Sequence, residues 1–123
     1  PKALGVGYFL VYARLGLASA FHKLGMKRET DEQFQAALRL FHDKKGYDFS
    51  LIWEGSDAQV SYRIAAHYAI SNRHKEALQN LRKAVDWGWR DGRLLEIDEA
   101  FAALRDEPEF QKVTRDLLGT SGT

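Results

Sequence analysis

The chain has 123 residues, a length that suits one domain with a hydrophobic core of its own. Its 18 Lys and Arg residues are balanced by 17 Asp and Glu residues, which argues against the basic surface of a nucleic-acid-binding protein. Cysteine is absent, so disulfides, thiolate metal ligands and a nucleophilic thiol are excluded. The most apolar stretch, residues 3–21, is interrupted by Arg14 and several glycines, and no membrane insertion is predicted.

Both ends of the sequence carry a prediction. The chain begins with Pro1 instead of Met and shows no signal-peptide pattern, so we expect a piece of a longer protein or a chain whose start has been removed, and assign it to the cytoplasm. The last five residues, 119–123, have no apolar side chain, which predicts a disordered tail.

Helical periodicity predicts a first helix over about residues 5–24 and a second over about 29–44. Gly25 is the expected stop of the first helix, with Met26 folding back on Phe21 in a C-terminal cap. The predicted core residues of these two helices are Leu10, Leu17, Phe21, Leu24, Phe34, Ala37, Leu38 and Phe41.

Residues 44–56 interrupt the helical pattern. Glycines and polar residues surround a group of large apolar side chains that either anchors a loop or covers the core: Tyr47, Phe49, Leu51, Ile52 and Trp53. Ser56 and Gln59 then stand three residues apart, in the arrangement of a capping box.

Two more helices are predicted over 57–71 and 73–87, ended by Asn72 and Gly88, with Trp87 and Trp89 as packing groups. Short apolar clusters follow at Leu94, Leu95, Ile97, Phe101 and Leu104. Asp106, Pro108 and Glu109 mark the start of a final helix over 107–118, whose apolar face is Phe110, Val113 and Leu117.

One set of large and small residues at fixed separations lies in the third and fourth helices, and a second set lies 47 residues earlier. The later set is Ile64, Ala65, Tyr68, Ala77, Leu81 and Ala84, and the earlier set is Leu17, Ala18, Phe21, Thr30, Phe34 and Ala37. Both resemble the core pattern of the tetratricopeptide repeat, a helix pair of about 34 residues. An unrelated helical bundle remains the alternative, because apolar residues at helical spacing also form bundle cores.

The resemblance implies an all-α fold of antiparallel helix pairs, stacked as a short right-handed solenoid. Repeat one would span about 11–44, an insertion 45–57, repeat two 58–91 and a helical cap 92–118. The cap resembles those that end bacterial repeat domains, on the strength of Gly88-Trp89-Arg90-Asp91 and the segment from Ala103 to Phe110.

Residue types that carry chemistry form no convincing constellation. His22, His42, His67 and His74 lack metal-ligand spacing, and His67 is expected at the surface. Glu96, Asp98 and Glu99 are expected to be solvated or to cap a short helix. No catalytic site, metal or cofactor is therefore predicted.

The resemblance implies instead a concave groove lined by the first helix of each pair. The candidate partner-binding residues placed in this way are Tyr12, Leu15, Ser19, His22, Lys23, Gln59, Tyr62, Arg63, Ala66 and Ile70. Where related proteins hold a terminal carboxylate with Lys and Asn, this chain has Leu15, Ser19, Tyr62 and Ala66, so an apolar or aromatic segment is the expected ligand.

The predicted function is a non-catalytic protein-protein interaction module that binds a peptide, a partner protein or another domain of the same parent chain. The alternative is a structural domain that forms a homodimer or packs against a neighbouring domain. An enzyme is the third possibility, and it would need an acid, base or nucleophile that the sequence does not reveal.

Overall fold

The computed structural model describes residues 6–44 and 56–121, and every element in these two ranges is helical. The chain divides into two compact units, residues 1–56 and 57–123, which are described separately below. The all-α class predicted from periodicity is confirmed. Residues 45–55, with the five large apolar side chains assigned to a loop, lie outside the described ranges.

The first unit contains a helical hairpin of α1 (Val6–Lys23) and α2 (Lys27–Asp43). α1 packs against α2. The buried side chains of the hairpin are Tyr8, Val11, Leu15, Ala18, Thr30, Phe34, Ala37 and Phe41. The predicted bounds of both helices are confirmed to within two residues. Phe34, Ala37 and Phe41 are confirmed as core residues of α2, whereas Leu38 is half-buried.

The predicted core face of α1 is wrong. Leu17 and Leu24 are 43% and 71% exposed, and Leu10 and Phe21 are only half-buried. α1 is apolar around most of its circumference, so the spacing of its large aliphatic residues did not identify the side that faces α2.

The second unit is built from α3 (Ser56–Ile70), α4 (His74–Asp86), α5 (Gly92–Ile97), a 3₁₀ helix (Glu99–Leu104) and α6 (Pro108–Ser121). One apolar core joins all five elements. Its members include Ala65, Leu81, Leu95, Phe101, Leu104, Phe110 and Leu117. The C-terminal elements thus share one apolar core with α3 and α4.

Several details of the second unit differ from expectation. Ile97 is 72% exposed and Trp87 50% exposed, whereas Trp89 is buried. α3 begins at Ser56, whose side chain lies outside the described part, so the capping box with Gln59 stays a prediction. α6 extends to Ser121, so the first three residues of the expected tail continue the helix.

The two hairpins turn in the same way. After α1 the amide of Met26 donates to the carbonyl of Phe21 at 3.0 Å, and after α3 the amide of Arg73 donates to that of Tyr68 at 2.8 Å. The residue before each donating amide, Gly25 in the first turn and Asn72 in the second, has a left-handed backbone conformation, with φ of 75° and 62°. Each turn is a Schellman motif, and the predicted stops at both residues are confirmed.

A third Schellman turn ends α4. The amide of Trp89 donates to the carbonyl of Ala84 at 2.9 Å, and Gly88 has a φ of 114°. The turn carries the chain from α4 to the short helix α5, whose first turn is capped by Asp91 accepting from the amide of Leu94. The predicted stop at Gly88 is therefore confirmed.

Candidate functional site

The side of α1 that points away from α2 is apolar and exposed. We call it the outer face of α1, formed by Phe9, Ala13, Leu17, Ala20 and Leu24. At 100° per residue these five positions lie within about 80° of arc, opposite the buried side of the helix. Phe9, Leu17 and Leu24 are 57%, 43% and 71% exposed, respectively.

No charged side chain interrupts the outer face. Arg14 is the single charged residue between Val6 and Ala20, and its position lies off the face. Its guanidinium Nη1 donates to Oε1 of Gln33 at 2.8 Å, which holds the side chain toward α2. A helix that is apolar all round normally has both sides covered, whereas Leu17 and Leu24 on the outer face of α1 are exposed.

The equivalent positions in α3 are buried. Val60, Ile64 and His67, which follow Ala13, Leu17 and Ala20 by 47 residues, are 0%, 1% and 7% exposed. The prediction that His67 lies on the surface is therefore wrong. Its spacing of three and seven residues from Ile64 and Val60 places it on one apolar stripe, a signal that the sequence did contain.

The candidate groove residues on α1 differ in their exposure to solvent. Tyr12 and Ser19 are half-buried, and His22 and Lys23 are exposed. Leu15 is 4% exposed, so it belongs to the hairpin core and is wrong as a partner-binding residue. It faces α2 because Val11 and Ala18, one turn away on either side, are buried on that face too.

On α3 the candidates Gln59, Arg63, Ala66 and Ile70 are all half-buried. Tyr62 is 4% exposed and is the second candidate that the structure overturns. Its ring stacks on that of Trp89 with centroids 4.3 Å apart, and it lies tilted against Phe101 at 5.5 Å. Tyr62 is thus a core residue that joins α3 to the C-terminal elements.

A hydrogen bond fixes the polar end of Tyr62. Its hydroxyl donates to Oδ2 of Asp98, while Oδ1 of Asp98 accepts from the amide of Ala100 and caps the 3₁₀ helix. Burial, followed by the bond to Asp98, raises the pKa of Tyr62 well above its ordinary value. Asp98 therefore acts as a structural cap, as one of the two sequence interpretations proposed.

An open groove of about 400 Å³ lies along α6. It is lined by Glu96, Arg105, Phe110, Gln111, Thr114, Arg115 and Leu118. Its polar side chains are largely engaged by the fold: Arg105 donates to the carbonyl of Asp98 at 3.0 Å, and Gln111 to that of Arg105 at 3.2 Å. None of these lining residues was among the partner-binding candidates, because the repeat pattern places its groove on the first helix of each pair and not on α6.

Within residues 6–44 and 56–121, no group of three His, Asp or Glu side chains is placed to hold a metal ion. A histidine and a carboxylate lie close together where Nδ1 of His74 is 3.7 Å from Oε1 of Glu107, near the starts of α4 and α6. That contact links two elements of the second unit.

Comparison with known proteins finds no matching family model, curated protein or solved structure. None of the helices in the described part of the chain has the length and apolar character that crossing a bilayer requires.

Proposed function

We propose that this chain is a non-catalytic protein-interaction domain, and that the outer face of α1 is its docking surface. The observation that carries the proposal is the exposure of Phe9, Leu17 and Leu24 on one side of a helix whose other side is buried. Clustered exposed apolar residues mark surfaces that other proteins cover.

The energetics favour docking on this face. Full burial of a Leu or Phe side chain contributes about 1.5–3 kcal/mol. Covering the part of each of these three side chains that remains in water therefore contributes on the order of 1 kcal/mol per residue. No charged group has to be desolvated in exchange, because Arg14 points toward Gln33.

The proposal includes an arrangement of the two hairpins as tetratricopeptide-like repeats stacked in a solenoid. It is supported by the two matching Schellman turns and by four equivalent pairs of positions that are buried in both hairpins. These pairs are Ala18 with Ala65, Thr30 with Ala77, Phe34 with Leu81, and Ala37 with Ala84. In arrays of such repeats the outer face of a terminal repeat is normally polar, so the apolar outer face of α1 is a surface that another protein is expected to cover.

Position-specific photo-cross-linking in the native cell tests the proposal. The photoreactive residue p-benzoylphenylalanine replaces Ala13 on the outer face, or Arg39 on the exposed side of α2 as the matched control. We expect discrete cross-linked products from position 13 that disappear when Leu17→Glu is added, and none from position 39. Absence of products at position 13, or equal yields at both positions, would refute the docking surface.

A further inference from the structure

Large and small side chains on the outer face of α1 lie at matching distances from its centre. A large residue stands at each end, Phe9 and Leu24, a small one lies inside each, Ala13 and Ala20, and the exposed Gly16 adjoins Leu17 at the centre. We infer that the occupant of this face is the α1 helix of a second copy of the chain, packed antiparallel about a two-fold axis. The inference rests on the proposed docking surface and names its partner.

Two-fold symmetry requires a self-complementary surface, in which each residue meets a suitable residue at the reflected position. In an antiparallel pair centred between Gly16 and Leu17, Phe9 lies level with Leu24 of the second copy. Ala13 lies level with Ala20 in the same way. The small residues let the helix axes approach to about 8–10 Å, while the large ones pack at the two ends.

The centre of the face has room for this approach. A Cβ atom placed on Gly16 would meet nothing within 4 Å, so the surface there is open. The central Leu17 of each copy can then lie over Gly16 of the other, which places a large side chain in the gap left by a missing one.

Charge supports the same arrangement. In the antiparallel pair, Arg14 lies level with the neutral Ser19 of the second copy, so no two like charges stand directly opposite one another. The contact between Arg14 and Gln33 keeps this cation beside its own hairpin. The helix dipoles also run in opposite directions, which is the favourable alignment for neighbouring helices.

The size of the face predicts a weak dimer. An 18-residue helix is about 27 Å long. A single helix pair of that length is at the low end of stable interfaces, which typically bury about 800 Å² per partner. We therefore expect a dissociation constant in the micromolar range.

Sedimentation velocity over about 1 µM to 1 mM measures the association. The unmodified chain should shift from monomer to dimer, and Leu17→Glu should raise the dissociation constant at least about tenfold. Ile97→Glu is the matched control, because Ile97 is also an exposed apolar helix residue, 72% exposed, but lies in the second unit. It should dimerise like the unmodified chain.

Disulfide cross-linking tests the direction of packing in a chain that has no cysteine of its own. Positions 13 and 20 are about 10 Å apart along a helix, whereas a disulfide needs Cα atoms within about 7 Å. A mixture of the Ala13→Cys and Ala20→Cys variants should therefore form cross-linked heterodimers under oxidation. Each variant alone should cross-link several-fold less.

A monomer at all concentrations together with no preference for the mixed disulfide would overturn the inference. So would a dimer that Leu17→Glu leaves intact. If the chain is monomeric but photo-cross-linking at position 13 still captures another protein, the second copy is refuted while the docking surface stands. If neither experiment detects contact at α1, both proposals fail.

Discussion

The two helical hairpins share a turn and a set of inner core positions, but differ at the first position of the repeated pattern. Leu17 in α1 is 43% exposed, whereas Ile64, its counterpart in α3, is 1% exposed. The next residues, Ala18 and Ala65, are buried in both hairpins. Inner positions are thus determined within each hairpin, while the outer position differs between them and leaves an apolar surface on the first.

The strongest test of this difference replaces both outer residues with alanine. Ile64→Ala should lower the free energy of unfolding by about 2–5 kcal/mol, because a fully enclosed branched side chain leaves a cavity. Leu17→Ala should cost less than about 1 kcal/mol when the chain is monomeric, because its side chain already contacts water. Urea denaturation at low protein concentration measures both, and equal losses would contradict the comparison.

A second difference is the buried polar contact of α3, where Tyr62 donates to Asp98. Tyr62→Phe should lower the free energy of unfolding by about 1–3 kcal/mol, because a carboxylate oxygen loses its donor in a partly buried place. The stacked ring on Trp89 is retained, so the near-ultraviolet circular dichroism of the folded state should persist. An unchanged free energy of unfolding would show that water replaces the Tyr62 hydroxyl as the donor to Asp98 without loss of stability.

The same contact predicts a response to alkaline pH. Because the pKa of Tyr62 is raised in the folded chain, its contribution to stability is complete below the unfolded-state pKa of about 10 and is lost as the pH rises further. Absorbance at 295 nm should show that Tyr62 ionises only when the chain unfolds. The late step should therefore be smaller by one tyrosine in Tyr62→Phe, and a late step of unchanged size in the variant would refute the assignment.

The turn after α1 allows the same substitution, glycine to alanine, to be compared at two backbone conformations. Gly25→Ala forces a side chain into the left-handed region, at φ of 75°, and should destabilise the first hairpin by about 1–2 kcal/mol. Gly16→Ala, inside the preceding helix α1, is the control, because the added methyl meets nothing within 4 Å there. In the monomer it should stabilise by about 0.5–1 kcal/mol. The same sign for both substitutions would contradict the Schellman assignment.

The smallest change in stability is expected at a position that is buried in both hairpins but holds a polar residue in one and alanine in the other. Thr30 is 4% exposed, its counterpart Ala77 is 0% exposed, and the Thr30 hydroxyl donates to the carbonyl of Met26 at 2.7 Å. Thr30→Ala should change the free energy of unfolding by less than about 1 kcal/mol, because the amide of Thr30 still bonds that carbonyl. A larger loss in thermal denaturation would mean that the hydroxyl is a structural cap.

Sequence reasoning succeeded where each helix has one apolar side. In α4, Ala77, Leu81 and Ala84 are all fully buried, as their spacing predicts, because charged residues occupy the opposite side. The stops at Gly25, Asn72 and Gly88 were predictable because few residues tolerate positive φ.

It failed where periodicity is ambiguous or where a contact is long-range. α1 is apolar on two sides, so the choice between Leu15 and Leu17 for the core depended on α2, which the helix's own sequence does not describe. Tyr62 meets Asp98 across 36 residues of chain, and no local pattern signals that bond. For the outer face of α1, the sequence showed only that this helix has more apolar residues than one buried side requires.

The stacked pair of Tyr62 and Trp89 also gives the second unit an optical signature. Rings with centroids 4.3 Å apart in a fixed orientation couple their electronic transitions, whereas Trp87, two residues earlier, is 50% exposed. No tryptophan precedes residue 53 in the sequence. With Trp53 replaced by Phe, tryptophan spectra therefore follow the unfolding of the second unit alone. Comparing them with far-ultraviolet circular dichroism, which follows the helices of both units, shows whether the two hairpins unfold together or in turn.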